Sequence, residues 1–215
     1  MKKLLLIAAF AVSSCTIQAQ AKVEFGLKGG FSVADMTNWG SQVYGYSPIP
    51  SIHGGGLLNI KFDNRSHGFA LQPEFVFSGQ GAISSYTDAS GYYYNFTTNL
   101  AYLNFPILLQ YQFVGGWRIE TGPQLGILLS ANDYNYYDQG GITDRRGIYH
   151  SGDFSWVVGG SYITRSGFGF DGRVNIGLSN INNDPYPGEN TNINNDVFQI
   201  GIFYQFNHPS YYKRY

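Results

Sequence analysis

The stretch Lys22-Val23-Glu24-Phe25-Gly26-Leu27-Lys28-Gly29-Gly30-Phe31-Ser32-Val33 decides how the rest of the chain reads. Val23, Phe25, Leu27, Gly29, Phe31 and Val33 fall on one face of an extended chain, and Glu24, Gly26, Lys28, Gly30 and Ser32 on the other. Strict period two marks a strand that sees two different surroundings. Seven further segments repeat the pattern: Ser51–Phe62, Gly68–Ser78, Leu100–Tyr111, Trp117–Leu129, Phe154–Ile163, Phe168–Ser179 and Val197–Phe206. Their lengths match the roughly 9–11 residues of a tilted membrane strand.

The connections alternate in length. Asp63–His67, Gln112–Gly116 and Thr164–Gly167 are short, whereas Ala34–Pro50, Gly79–Asn99, Ser130–Asp153 and Asn180–Asp196 are long. An even number of antiparallel strands with turns at one end and loops at the other predicts an all-β, eight-stranded up-and-down transmembrane barrel. Both chain ends then fall at the short-turn, periplasmic side. Pro73, Pro106 and Pro123 sit inside predicted strands and each removes a ladder donor, which counts against the strand reading unless a bulge or local irregularity lies at each.

Period two does not say which face points outward, since a soluble lipocalin-like binder would bury its apolar face. Volume decides. The apolar face is dominated by Phe, Leu, Ile, Val and Trp, and an eight-stranded barrel is only just wide enough inside for modest side chains. The small residues, Gly26, Gly30, Gly55, Ala70, Gly122, Gly126, Gly159, Gly169, Gly177 and Gly201, all sit on the opposite face. The bulky face therefore faces lipid, and Phe62, Phe77, Tyr111, Trp117, Tyr162, Tyr204 and Phe206 near strand ends are expected to form two interfacial girdles.

Composition agrees. Of 215 residues, 17% are aromatic, 28 are glycine and only 13% are charged, about half the charged share of an average soluble domain. One cysteine excludes a disulfide framework, and 13 basic against 14 acidic side chains leave no basic stripe for nucleic acid. Lys2-Lys3 before the apolar run Leu4 to Val12 reads as a secretory signal over residues 1–21, too short to span a bilayer. Two cleavage patterns are present: Ala19-Gln20-Ala21 suits an ordinary signal peptidase, and Val12-Ser13-Ser14-Cys15 resembles a lipobox. Residues 22–206 would then form the barrel and 207–215 a short periplasmic tail.

Several segments resemble a known family. Leu71-Gln72-Pro73-Glu74-Phe75 followed by Ser78-Gly79-Gln80-Gly81-Ala82, Tyr102-Leu103-Asn104-Phe105-Pro106-Ile107-Leu108-Leu109, Gly122-Pro123-Gln124-Leu125-Gly126 and Gly177-Leu178-Ser179-Asn180-Ile181 look like the recurring segments of the Bacteroidota outer-membrane β-barrel family, often labelled "porin family" or PorT-like. The resemblance covers the mature chain. It implies a barrel of the bacterial outer membrane embedded in its lipid bilayer, and says little about activity.

The inward face carries Glu24, Glu74, Glu120 and Asp171 against Lys28, Lys61, Arg118 and Arg173. Charges in a narrow lumen must be paired and hydrogen-bonded, and Gln72, Asn104, Gln110, Gln124, Asn175, Gln199 and Gln205 are there to complete such a network. This predicts a plug; the other reading is a narrow, selective pore for ions or small solutes. No enzyme, cofactor or metal site is expected. His150-Ser151 near Asp144 and Asp153 has the residue types of a nucleophile, base and orienter, as loops of this composition often do by chance, and His53, His67 and His208 lack ligand spacing.

The long loops hold 11 of the 18 tyrosines, including Tyr92, Tyr93, Tyr94, Tyr134, Tyr136 and Tyr137, among Asn, Ser and Gly. Rigid amphipathic rings beside adaptable polar residues are what binding loops use, so these are the candidate contacts to an extracellular ligand; tyrosines at the headgroup level are the alternative. The loops are acidic, with Arg145 and Arg146 their only basic residues, whereas Lys22, Arg65, Arg165, Lys213 and Arg214 make the other end basic, where a periplasmic partner is one option and simple solvation the other.

Overall fold

The alternation that begins at Lys22 runs on through β1 (Lys22–Asn38), β2 (Gly45–Lys61), β3 (Gly68–Thr87), β4 (Tyr93–Gln112), β5 (Trp117–Asn135), β7 (Gly152–Ile163), β8 (Phe168–Gly177) and β9 (Ile193–Gln205). A three-residue strand β6 (Ile142–Asp144) and a 3₁₀ turn (Arg146–Ile148) lie between β5 and β7. This computed structural model describes residues 22–38, 45–63, 67–87, 91, 93–135, 142–183 and 192–206. The expected signal segment 1–21 and tail 207–215 lie outside them, as do His208, Tyr92, Tyr136 and Tyr137.

Each long strand pairs antiparallel with the next, and β1 pairs with β9 from Gly26↔Gln205 to Asn38↔Ile193, so eight strands close into a barrel. Following hydrogen-bonded neighbours once round the wall, from Gln112 on β4 through every strand and back to β4, arrives at Tyr102, ten residues higher. That stagger tilts the strands against the barrel axis. The Gln112–Gly116 turn is closed by Phe113 N–H donating to Trp117 O at 2.8 Å, with Gly115 and Gly116 at φ of +99° and +97°, where only glycine is unstrained.

The bulky face points outward as expected. Phe25, Leu27, Phe31, Ile52, Phe75, Ile119, Leu125, Phe198, Ile200 and Ile202 are all exposed, while Glu24, Lys28, Ser32, Gln199 and Gln205 are buried. Inside, large side chains lie over the small positions: Arg173 crosses Gly159, the Phe203 ring covers Gly169, and Leu57 meets Gly26. Exposed aromatics gather at the short-turn end, and among the described residues Phe31, Phe77, Phe154 and Phe198 stand exposed higher on the wall. Of the seven aromatics expected at two interfaces, only Phe77 lies away from the short-turn end. There, Phe69–Tyr111, Tyr111–Phe113, Trp117–Tyr162, Phe168–Phe170 and Tyr204–Phe206 ring pairs, with centroids 4.9–5.1 Å apart, form a collar.

No bulge forms at the strand prolines. The β2–β3 ladder passes from Leu57↔Glu74 to Ile60↔Leu71, β3–β4 from Pro73↔Ile107 to Val76↔Asn104, and β4–β5 from Pro106↔Gln124 to Leu109↔Thr121, each without a shift of register. A residue in a sheet donates to only one neighbour, so Pro73, Pro106 and Pro123 each interrupt the ladder to the preceding strand and leave the following one intact. Each proline is thus met by a local interruption of the ladder, and the shifts of register fall elsewhere, between Pro48 and His53 and between Ala101 and Tyr102.

On the lipid face, the indole N–H of Trp156 donates to Thr121 Oγ1 at 2.8 Å, and that hydroxyl donates to Val157 O at 2.9 Å. Thr121→Val removes the acceptor inside the apolar belt. Expected is a loss of about 1–2 kcal/mol in urea unfolding from lipid vesicles, with Thr121→Ser close to wild type.

The strands are longer than the sequence pattern suggested at the loop end. β3 and β4 stay paired to Thr87↔Tyr93, so most of the expected Gly79–Asn99 loop is ladder. Tyr93 and Tyr94 therefore belong to β4 and Tyr134 to β5, rather than to loops.

Candidate functional site: the charged lumen and its lid

All eight charged residues expected in the lumen are buried, none more than 7% exposed. They separate into two groups. At mid-barrel, Arg173 donates to both carboxylate oxygens of Glu74 at 2.7 Å and through Nε to Glu120, with Asp171 3.8 Å away. Lys28 sits 3.5 Å from Glu74 and 3.4 Å from Asp171. Gln72 donates to Glu74 at 2.7 Å and Gln110 to Glu120 at 2.8 Å. In the ring of eight strands β8 stands opposite β3, so the Arg173–Glu74 fork spans the whole bore. A bidentate guanidinium–carboxylate pair is among the strongest polar contacts a protein makes.

Nearer the short turns, Lys61 pairs with Glu24 at 3.1 Å, and Lys22 lies 3.7 Å from the same carboxylate. Arg118 donates to Gln112 at 3.2 Å and Gln205 at 3.0 Å, with its guanidinium 5.9 Å over the Phe203 ring. Leu57, Ile163 and Phe203 form an apolar cluster within the bore. Asn59 donates to Gln72 at 2.9 Å and Gln110 at 2.8 Å, bridging the two-pair interruption that Pro73 leaves in the β2–β3 ladder.

Above mid-barrel the network turns neutral. Ser32 Oγ and His53 Nδ1 are 2.9 Å apart, Gln80 donates to Ser78 at 2.9 Å, Asn195 donates to Gln80, and Gln124 donates to Ser155 at 3.1 Å. Asn104 and Gln199 reach Ser78 at 3.3 Å and Ser32 at 3.5 Å. Of the expected polar residues Asn175 alone has neither side-chain atom bonded within the protein.

Towards the outer end lies a feature the sequence pattern did not reveal. Met36, Ala82, Leu100, Tyr102, Leu128, Ala131 and Ile181 form a buried apolar cluster, with Tyr149 and Ile193 packed on it. Ile181 comes from the segment after β8 and is fully buried. It is held by its N–H donating to Ile193 O at 2.9 Å and its carbonyl accepting from His150 N–H at 2.8 Å, while Asn183 N–H donates to Ile148 O at 2.8 Å.

The His150–Ser151 neighbourhood is not assembled into a nucleophile, base and orienter. His150 and Ser151 are exposed, whereas Asp153 is buried and accepts from Ser179 at 2.8 Å, and Asp144 accepts from Arg146 N–H at 2.9 Å. His67 is exposed and His53 is in the lumen. Among the described residues no cluster of three His, Cys, Asp or Glu side chains is arranged to hold a metal. Tyr134 is 42% exposed on β5.

No curated protein matches the chain in sequence. In fold it is similar to Neisserial surface protein A, with a TM-score of 0.54 at 8% identity over 86% of this chain and 99% of that one. Ail of Yersinia pestis gives 0.46 at 9% identity over 86% and 99%, and OprG of Pseudomonas aeruginosa 0.44 at 15% identity over 88% and 99%. Residues 18–183, which run from before β1 to beyond β8, match the outer membrane protein β-barrel domain family. The chain belongs to that family, and its apolar belt is the lipid-facing surface of a bacterial outer-membrane barrel.

Proposed function

We propose that this is a non-catalytic, non-conducting outer-membrane barrel that acts at the cell surface as a structural or contact-making protein. The observation that carries the reading is the Arg173–Glu74 fork, which ties opposite walls together across the lumen. The apolar cluster around Ile181 adds a second closure at the outer end. With the lumen plugged, the outer rim is the surface left for function. The candidate contacts are Tyr134, whose exposure supports the reading, with Tyr92, Tyr93, Tyr94, Tyr136 and Tyr137.

The finer assignment goes with it: a PorT-like, Bacteroidota-type barrel, supported by the segments around Pro73, Pro106 and Pro123. An N-terminal signal over residues 1–21 would direct it to the periplasm. Lys22 and Gln205 end their strands beside the short turns, which supports a periplasmic location for both termini.

Purified protein refolded into a planar bilayer tests the reading. Silence from protein shown to be inserted is the expected result. Steady, ion-selective openings would overturn it and make the same charges the lining of a narrow pore.

A further inference from the structure

Not every buried polar atom of the lumen finds a partner within the protein. Around the wall one row of hydrogen-bonded neighbours climbs from the short-turn mouth to the lid: Arg118↔Ser161↔Asp171↔Gly201↔Gly30↔His53, then Ser78 and Tyr102. Among the buried side-chain atoms that make no hydrogen bond within the protein, Arg118 Nη1, Ser161 Oγ, Asp171 Oδ2, His53 Nε2 and Tyr102 Oη lie on this row, while those of Asn59, Asn175, Asn195 and Gln205 lie off it. Its other members are two glycines and Ser78, whose hydroxyl accepts from Gln80. Five orphaned polar atoms on one spiral of the wall are not scattered packing defects.

The row is best defined around Gly201. His53 lies over Gly30, and a point one side-chain carbon out from Gly201 is 3.0 Å from Gly29 O, 3.2 Å from His53 Nε2 and 3.4 Å from Asp171 Oδ2. His53 Nε2 and Asp171 Oδ2, both without a hydrogen bond, face each other across the bare backbone of Gly201, and a buried water needs two to four such partners. Asn175, on β8 four residues above Asp171, is 2% exposed and bonded through neither its nitrogen nor its oxygen, which a dry interior would strongly disfavour.

We propose that this row holds a file of water, fed from the polar short-turn mouth at Lys61 and Gln112 and stopped at Tyr102 by the Ile181 lid. The inference rests on the plugged-lumen reading. It adds that the plug stops ions while a wet seam beside it reaches to the lid, so that breaching the lid gives a path for protons and water. A chain of hydrogen-bonded water relays protons without any ion leaving its hydration shell, and an apolar constriction blocks it by excluding water.

The test is proton leak into vesicles of neutral lipid carrying an entrapped pH dye, for wild type, Ile181→Ser and Ile181→Ser/Gly201→Val, each confirmed as folded by urea unfolding. Expected is a tight wild type, a leak roughly tenfold faster for the lid variant without single-channel openings, and its suppression when a side chain is added at Gly201. Folded Ile181→Ser that leaks no faster than wild type would overturn the water file and leave the plug standing. Ion openings in wild type would instead overturn the plug. Wild type also offers a direct readout: a water cross-peak to the His53 ring N–H in solid-state NMR is expected, and a dry His53 contradicts the proposal even if a variant fails to fold.

Discussion

Arg173→Met is expected to destabilise the folded barrel by about 3–5 kcal/mol, the usual effect of removing one partner from a buried ionic cluster. In the native lumen two cations, Arg173 and Lys28, face three carboxylates, Glu74, Glu120 and Asp171. Without the guanidinium, Lys28 alone faces all three carboxylates, and its 3.4 and 3.5 Å contacts reach only Asp171 and Glu74. The cost is one of desolvated charge rather than of lost volume, because methionine fills much of the same space. Adding Glu74→Gln and Glu120→Gln to Arg173→Met should therefore recover most of the loss, since neutral amides keep hydrogen bonds to Gln72 and Gln110 without a buried charge. Urea unfolding from lipid vesicles measures all three proteins. A triple variant no more stable than the single would mean that Arg173 acts through packing over Gly159 instead.

Ile200→Arg should cost about 2–4 kcal/mol, whereas Tyr134→Arg should stay within about 1 kcal/mol of wild type, because the penalty for a cation on the lipid face depends on depth. Ile200 lies on β9 between Phe198 and the Tyr204–Phe206 collar pair, with Phe31 and Gly172 beside it. It belongs to the middle of the exposed apolar belt. Tyr134 is above that belt, on the part of β5 that pairs with β6. A soluble barrel would show no such depth profile. Equal stability of the two variants in lipid would place the belt elsewhere on the wall.

The barrel and its inside-out sense were legible because a bilayer imposes the sharpest possible contrast between the two faces of a strand. Above the bilayer the contrast disappears, and so did the signal. Ser84, Ser85, Thr97 and Asn99 have the composition of a loop, yet they continue the β3–β4 ladder. The membership of the lumen network was readable from alternation alone, but not its wiring. Arg173 and Glu74 are 99 residues apart, and only the stagger of a closed barrel brings them across from one another. The lid was hidden more deeply. Ile181 and Met36 are single apolar residues in segments read as polar loops, and their partners come from β3, β4 and β5.

The two edges of this sheet are the first strand and the last, joined from Gly26↔Gln205 to Asn38↔Ile193. Nearly all other neighbouring strands are close in the chain, so a curved seven-stranded sheet has its local pairings before β9 arrives. It also has two open edges, and the arginine at position 118 still lacks Gln205. No shortened or half-exported chain can settle into a smaller version of the same object. Assembly must wait for the final strand and then shut in a single step, so loss of the last dozen residues of β9 would abolish the protein rather than trim it.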